Sequence, residues 1–290
     1  MAAKSNSLPF EYWDVFTSTR FKGNPLAVFT NAGQLDAEMM LSIARETNLS
    51  ETTFIFHRDA ATEKAKGIRT RIFTPTTEYD FAGHPTLGTA MSLWKKGTSR
   101  IVLDLNVGPV PVEFKEVQGK IFGTMTQPKP VIAEDHDPAV IGKLIGVDPQ
   151  EIQGPVTNVS TGRPNLIVVL RSLKTIQSLR PNWNAIAEYF AKGDALRSFY
   201  FLTHEVEDAG AAFHARKLTP RTEDPVTGSA AGSAVAYLVR NKLVPAGKEV
   251  VIEQGSEVRR RGELFVSADG DTVRVGGFAV KAWTGQLDLD

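Results

Sequence analysis

"FTPTTEYDFAGHPT", residues 73–86, is too rich in Gly, Pro and polar residues for a protein core, yet it runs straight into an apolar, Ala-containing stretch with a helical pattern. A shift of 145 residues lays its first twelve residues over "LTPRTEDPVTGS" (218–229), with Thr, Pro, Thr, Glu and Gly repeated in register. The likeness continues past those letters. "PTLGTAMSLWKKG" (85–97) and "AAGSAVAYLVRNK" (230–242) both read as mostly apolar helices, and each is followed by a predicted strand hairpin, at 100–117 and 249–266. Helices apolar nearly all round are usually buried ones. The pattern therefore predicts an α+β protein of two halves with like topology, 1–126 and 127–290, the C-terminal residues being free to rejoin the first half. Each half is expected to be a curved sheet around a central helix with a duplicated entrance.

Composition limits what such a protein can do. At 290 residues and 42% hydrophobic, the chain can bury a substantial core. Thirty-three basic and thirty-three acidic side chains cancel, so no global field favours nucleic acid or an anionic membrane. The absence of cysteine excludes disulfides, thiolate metal sites and thiol nucleophiles. "MAAKSNSLPFEYWDVF" lacks the apolar run of a secretory signal, and nothing later approaches the roughly 18 apolar residues of a membrane span. The expectation is a cytoplasmic protein with a small-molecule partner, no nucleic acid and no membrane.

Short alternating runs dominate, as in "GIRTRIF" (67–73), "VPVEFKEV" (110–117) and "AAFHARKL" (211–218), with the period of half-buried strands. Helices interrupt them. Residues 36–48 open with Asp36 as N-cap, and Met39, Met40, Ile43 and Ala44 recur at helical spacing. "PNWNAIAEYFAKG" (181–193) starts with Pro and stops at Gly, and "TQPKPVIAEDHDP" (126–138) reads as the crossover between halves.

The two helix entrances carry the chemistry. The first four N–H groups of a helix lack intrahelical acceptors, and the aligned peptide dipoles place roughly half a positive charge there. Gly83 and His84 precede Pro85, which suits the first helical position, while Gly228 and Ser229 precede Ala230 and Ala231. Small residues let a ligand approach such backbone. With the halves facing each other, two anion-seeking helix ends would flank one cleft, fit for a carboxylate or a developing enolate. Glycine turns and a serine cap on two core helices account for either stretch alone, whereas the duplication favours binding for the pair. Glu78 and Glu223 occupy the repeated position, either bracing the loop through its N–H groups or reacting. His84 and Asp224 differ between the copies and are the better candidates for substrate contact; histidine is also the side chain that titrates nearest neutrality.

"GNPLAVF" (23–29), "NLSETTFIF" (48–56), "FTPTTEYDFAGHPTLGTA" (73–90), "EDPVTGSAAGS" (223–233) and "EQG" (253–255), in this order, resemble the PhzF family of phenazine biosynthesis isomerases. The resemblance spans essentially the whole chain. It implies the diaminopimelate epimerase fold: two pseudo-symmetric domains, each a mixed barrel-like sheet around a central helix, with the site between them and a homodimer as the assembly. It also implies an isomerase that shifts a proton on a small carboxylated, cyclic or acyclic metabolite without metal or organic cofactor. Residue by residue, Glu51 of "SETTF" is implied as the acid/base, and Gly83, His84, Asp224, Gly228 and Ser229 as substrate-binding residues. Without the family, Glu51 reads as a strand-end carboxylate. With it, a carboxylate beside Phe54 and Phe56 would be poised to shuttle a proton. The two-thiol chemistry of epimerase relatives is impossible in a chain without cysteine. A binding protein that keeps the cleft without the chemistry is the alternative.

Other signatures are missing. There is no GxGxxG, no GxxxxGK[ST] and no GxSxG around Ser229. The histidines at 57, 84, 136, 204 and 214 show no HExxH spacing, and His204 and His214 are read as ordinary, partly buried residues on separate strands. The "RRR" at 259–261 reads as a solvated strand end; Arg260 is the nearest match to an arginine that follows "QG" in the family, but the usual following Pro is absent.

Overall fold

A computed structural model describes residues 7–190, 198–220 and 222–289. Contacts divide them into two compact units, one holding the residues up to Thr126 with those from Gly276 onward, the other Gln127–Val275. The chain starts with β1 (Ser7–Val15), β2 (Asn24–Phe29), α1 (Ala37–Thr47), β3 (Thr52–Phe56), α2 (Ala60–Lys66) and β4 (Ile68–Phe73). The short β5 (Glu78–Tyr79), α3 (Gly83–Leu93), β6 (Arg100–Leu105), β7 (Gly108–Val117) and β8 (Lys120–Gln127) follow. Next come β9 (Val131–His136), α4 (Pro138–Ile145), β10 (Ile152–Ser160), β11 (Pro164–Leu170), α5 (Leu173–Gln177), α6 (Trp183–Phe190) and β12 (Phe199–Thr203). The rest is β13 (Phe213–Leu218), β14 (Glu223–Asp224), α7 (Gly228–Arg240), β15 (Val250–Gln254), β16 (Gly262–Asp269) and β17 (Thr272–Asp288).

The sheet is mixed. In the first unit β1–β2 is antiparallel, β2–β3 parallel, β3–β4 antiparallel, β4–β6 parallel and β6–β7–β8 antiparallel. β17 pairs with both β8 and β1, closing eight strands into a barrel. The second unit repeats the pattern: β10–β11 antiparallel, β11–β12 parallel, β12–β13 antiparallel, β13–β15 parallel and β15–β16 antiparallel.

One helix in each unit is buried on all sides, as its composition requires. α3 packs against β1, β2, β3, β6 and β7, and every residue from Gly83 to Met91 is buried. α7 packs against β10, β11 and β16 and is buried from Gly228 to Leu238. Outside the first sheet, α1 lies with Met40, Ile43 and Ala44 against Phe29, Phe54 and Phe73. Asp36 caps it by accepting the Met39 N–H at 2.8 Å, while the Met39 side chain itself points to solvent. The second unit carries α4, α5 and α6 over Leu166, Val168, Phe199 and Phe201. With α7 on one side and these helices on the other, β11 is covered on both faces, and from Leu166 to Leu170 its sequence is a continuous apolar run.

Two details depart from the sequence reading, and a third falls outside the described residues. Both buried helices start two residues early, at Gly83 and Gly228, so Pro85 is the third helical residue and Ser229 the second; neither Ala82 nor Thr227 at the N-cap makes a side-chain cap bond. The stretch 126–138 contains β9, whose side chains are nearly all exposed; its pairing with β10 leaves no burial pattern to read. The end of the 181–193 helix lies outside the described residues, since α6 is described to Phe190.

Gly232 shows how tightly α7 is seated. A Cβ there would lie 2.0 Å from Gln127 Oε1. Gly232→Ala is expected to cost about 1–3 kcal/mol in overpacking, more than the ~1 kcal/mol of helix propensity that alanine contributes. A lowered denaturation midpoint checks this, and a raised one would contradict it.

Candidate functional site

In the first unit, Glu51 sits in the short link between α1 and β3, and Gly83 and His84 are the first two residues of α3. Glu51 Oε2 lies 3.7 Å from His84 Nδ1, with side-chain exposures of 15% and 4%. Strand parity explains the meeting. Residues 51, 53 and 55 point to one face of the strand and 52, 54 and 56 to the other. Thr53 accepts a 2.9 Å hydrogen bond from Thr89 of α3, so the odd face looks onto the buried helix, and Phe54 packs on the opposite side with α1. The expectation that Phe54 and Phe56 flank Glu51 is thus corrected: its neighbour is an imidazole at a helix N-terminus.

In the second unit, Asp224 ends β14, and Gly228 and Ser229 open α7. The Thr227 hydroxyl donates a short hydrogen bond to Asp224 Oδ2. Gln254 fixes the link between them: its Nε2 donates to the Asp224 carbonyl at 2.8 Å, and its Oε1 accepts from Thr227 N at 3.0 Å and the Tyr200 hydroxyl at 3.1 Å. Burial, then the Asp224 charge, hold the Tyr200 phenol well above its ordinary range. On the other side Gln127 Nε2 donates to the Gly228 carbonyl at 2.9 Å, and the Thr161 hydroxyl donates to Gln127 Oε1 at 2.7 Å. The carbonyls of the first turn are thus held by side chains from elsewhere in the unit.

The repeated glutamates brace, but through an arginine rather than the loop N–H groups. Arg71 grips Glu78 at 2.7 and 2.6 Å, and Arg216 grips Glu223 at 2.8 and 2.7 Å. Hydrogen bonding from Arg71 keeps the Glu78 carboxyl below its ordinary range. The turns match as well: Thr74 N donates to Thr77 O and Thr219 N to Thr222 O, each at 2.9 Å.

Gln254, Thr227, Gln127, Thr161 and the two arginines escaped the sequence reading. Gln254 lay in the quoted "EQG", and the arginines stand 145 residues apart like their glutamates. His204 lies just past β12 rather than on a strand, and His214 is fully buried. In the arginine run, Arg261 pairs with Asp208 at 2.8 Å and Glu253 at 3.1 Å, while the Arg260 N–H closes a turn onto Gly255 O at 2.9 Å. Among the described residues, Glu207, His214 and Glu253 bring oxygen and nitrogen atoms within 4.8 Å of one another. Both Glu253 oxygens already accept backbone N–H groups, from Glu207 at 2.6 Å and Asp208 at 3.1 Å, so the group is a hydrogen-bonded brace and not a cation cage. No described helix is long and apolar enough to cross a membrane.

A closed mixed barrel around a buried helix is the epimerase-like fold, and the relatives of this chain are isomerases. The model of the PhzC-PhzF family, phenazine biosynthesis-like proteins, matches residues 13–285, and the chain belongs to that family. It is 32% identical to the trans-2,3-dihydro-3-hydroxyanthranilate isomerase of Pseudomonas aeruginosa over 92% of each chain. A solved PhzF-family protein of Bacillus anthracis superposes with a TM-score of 0.84 at 24% identity, covering 97% of this chain and 99% of that one. The fold extends to a hydroxyproline epimerase of Agrobacterium vitis, at a TM-score of 0.68 and 10% identity over 98% and 92% of the chains.

Proposed function

We propose that this isomerase moves a proton between carbons of a small carboxylated, cyclic or acyclic metabolite, with Glu51 as the proton carrier and the two helix entrances holding the substrate. The observation that carries the reading is the approach of the Glu51 carboxylate to His84 at the start of α3, 3.7 Å apart and largely out of solvent. A carboxylate there can accept a proton from a carbon acid, and the first-turn N–H groups favour the negative charge that develops. Once protonated, Glu51 exchanges its proton with solvent and delivers one to another carbon, which completes an isomerisation with no net change in charge. His84, Asp224 and Ser229 supply polar contacts, and Gly83 and Gly228 allow close approach to backbone.

The name of the Pseudomonas relative offers trans-2,3-dihydro-3-hydroxyanthranilate as the first compound to test. Incubation in deuterated water should place deuterium on a substrate carbon; binding without incorporation would leave only the non-catalytic alternative. Ser229→Ala should weaken binding by about 1 kcal/mol, the net worth of one hydrogen bond, with the rate of bound substrate little changed. Calorimetric titration reads the first quantity and saturating-substrate turnover the second. A large loss of turnover with unchanged affinity would give Ser229 a different role.

A further inference from the structure

His214 on β13 is fully buried and takes no part in the proposed chemistry. Its Nδ1 lies 3.0 Å from Glu253 Oε1 on β15, and its Nε2 lies 3.0 Å from Glu257 Oε1 in the turn that follows. A neutral imidazole has one N–H to give, and two carboxylates require two, so the arrangement fits an imidazolium. The other charged groups around it are named by the same contacts. Arg216, on the same strand, grips Glu223 of β14 and lies 3.8 Å from Glu257. Arg261 reaches Glu253, Asp208 and, at 3.9 Å, Glu263 of β16. Glu207 and His204 belong to the segment after β12, the latter with its ring 4.4 Å from that of Phe213.

The clamp backs the second helix entrance. Gln254, between the two histidine-bound glutamates, holds the Asp224 carbonyl and the Thr227 N–H. Gly255, at φ +95°, packs so closely that a Cβ would fall 2.5 Å from the Pro225 carbonyl oxygen. The first unit places a permanent cation at the matching position. Arg69 of β4 stands opposite Asp104 of β6 as His214 stands opposite Glu253.

We propose that His214 is a positioning residue whose imidazolium clamps residues 253–257 and thereby holds the Asp224–Thr227 link and the start of α7 in their binding form. The inference rests on the reading of that entrance as part of a substrate site. Burial opposes the charge on His214, but its hydrogen bonds to Glu257 and Glu253 outweigh it, and the group titrates above its ordinary value. A raised folded-state value stabilises fully below the unfolded value of about 6.5, and that stabilisation is lost as pH rises through the folded value. The entrance should therefore loosen on the alkaline side.

Amide hydrogen exchange of peptides covering Thr227, read by mass spectrometry and corrected for intrinsic pH dependence, tests this on the full chain. Protection should fall by at least about tenfold between about pH 6 and about pH 9 in the wild type. His214→Asn should show the low value throughout, and His214→Arg, the cation used in the first unit, should keep protection at both ends. Because arginine could fail to fit, Glu257→Gln serves as a second variant: with one carboxylate partner removed, the midpoint should move to lower pH. Wild-type protection in His214→Asn at every pH, or an unmoved midpoint in Glu257→Gln, would overturn the proposal. So would protection that rises with added zinc and vanishes with a chelator, which would make the cluster a cation site. Solvent-deuterium incorporation run in parallel separates the two readings. Protection that follows His214 while Glu51→Gln leaves incorporation intact would remove the proposed chemistry and leave the clamp standing.

Discussion

Glu51→Gln is expected to lower turnover by about 10²- to 10⁴-fold while ligand affinity changes little, because the amide keeps the size of the carboxylate but cannot accept a proton. Deuterium incorporation and calorimetric binding on the same preparation read the two effects apart. The contrast with Ser229→Ala is one of kind, since one variant removes the shuttle and the other a contact. Full exchange in Glu51→Gln would make the carboxylate structural and turn attention to Asp224, the acid at the second entrance.

Arg216→Met is expected to cost about 3–5 kcal/mol, because it leaves Glu223 largely buried without its cation and takes from Glu257 the second of its two, the other being His214. The Arg216 and Glu223 side chains are 11% and 14% exposed. The matching change in the first unit, Arg71→Met, should cost only about 1–2 kcal/mol, since Arg71 and Glu78 are 23% and 25% exposed and water can take over part of the solvation. Arg216 also donates to the Ile176 carbonyl at 2.8 Å, a bond that methionine cannot replace. Denaturant unfolding of both variants gives the comparison. Equal costs would mean that burial does not decide the strength of these pairs.

Much of this fold could be read from local pattern. The repeated stretch located both buried helices and the hairpins after them, because an all-apolar helix and an alternating strand leave different periods in sequence. The first turn of each helix is not legible: glycine and histidine have low helix propensity, and neither Ala82 nor Thr227 at the N-cap makes the side-chain cap bond that marks a start. Glu51 was legible only through family resemblance, though strand parity in "ETTFIF" already separated it from Phe54 and Phe56. The pairing of His214 with Glu253 and Glu257 was not legible at all. The partners stand 39 and 43 residues away, and only the parallel alignment of β13 with β15 brings them side by side. Arg71 and Arg216 were in plain view at the repeat distance, but an arginine on a strand carries no signal until its acceptor is known.

The closure of the first barrel by β17 bears on how the protein is made. A ribosome delivers β1 through β8 long before it delivers β17, so for the synthesis of some 150 residues the nascent sheet carries two open edges, on β1 and on β8. Unpaired edges are templates for pairing with other chains. The second unit lies within Gln127–Val275 and can finish first, so the earlier-made unit is the later-closed one. Its barrel depends on contacts of very high sequence separation, such as Ser7 with Asp288, and such contacts form slowly. The nascent chain therefore passes through a long window in which its emerged N-terminal segment needs protection from neighbours.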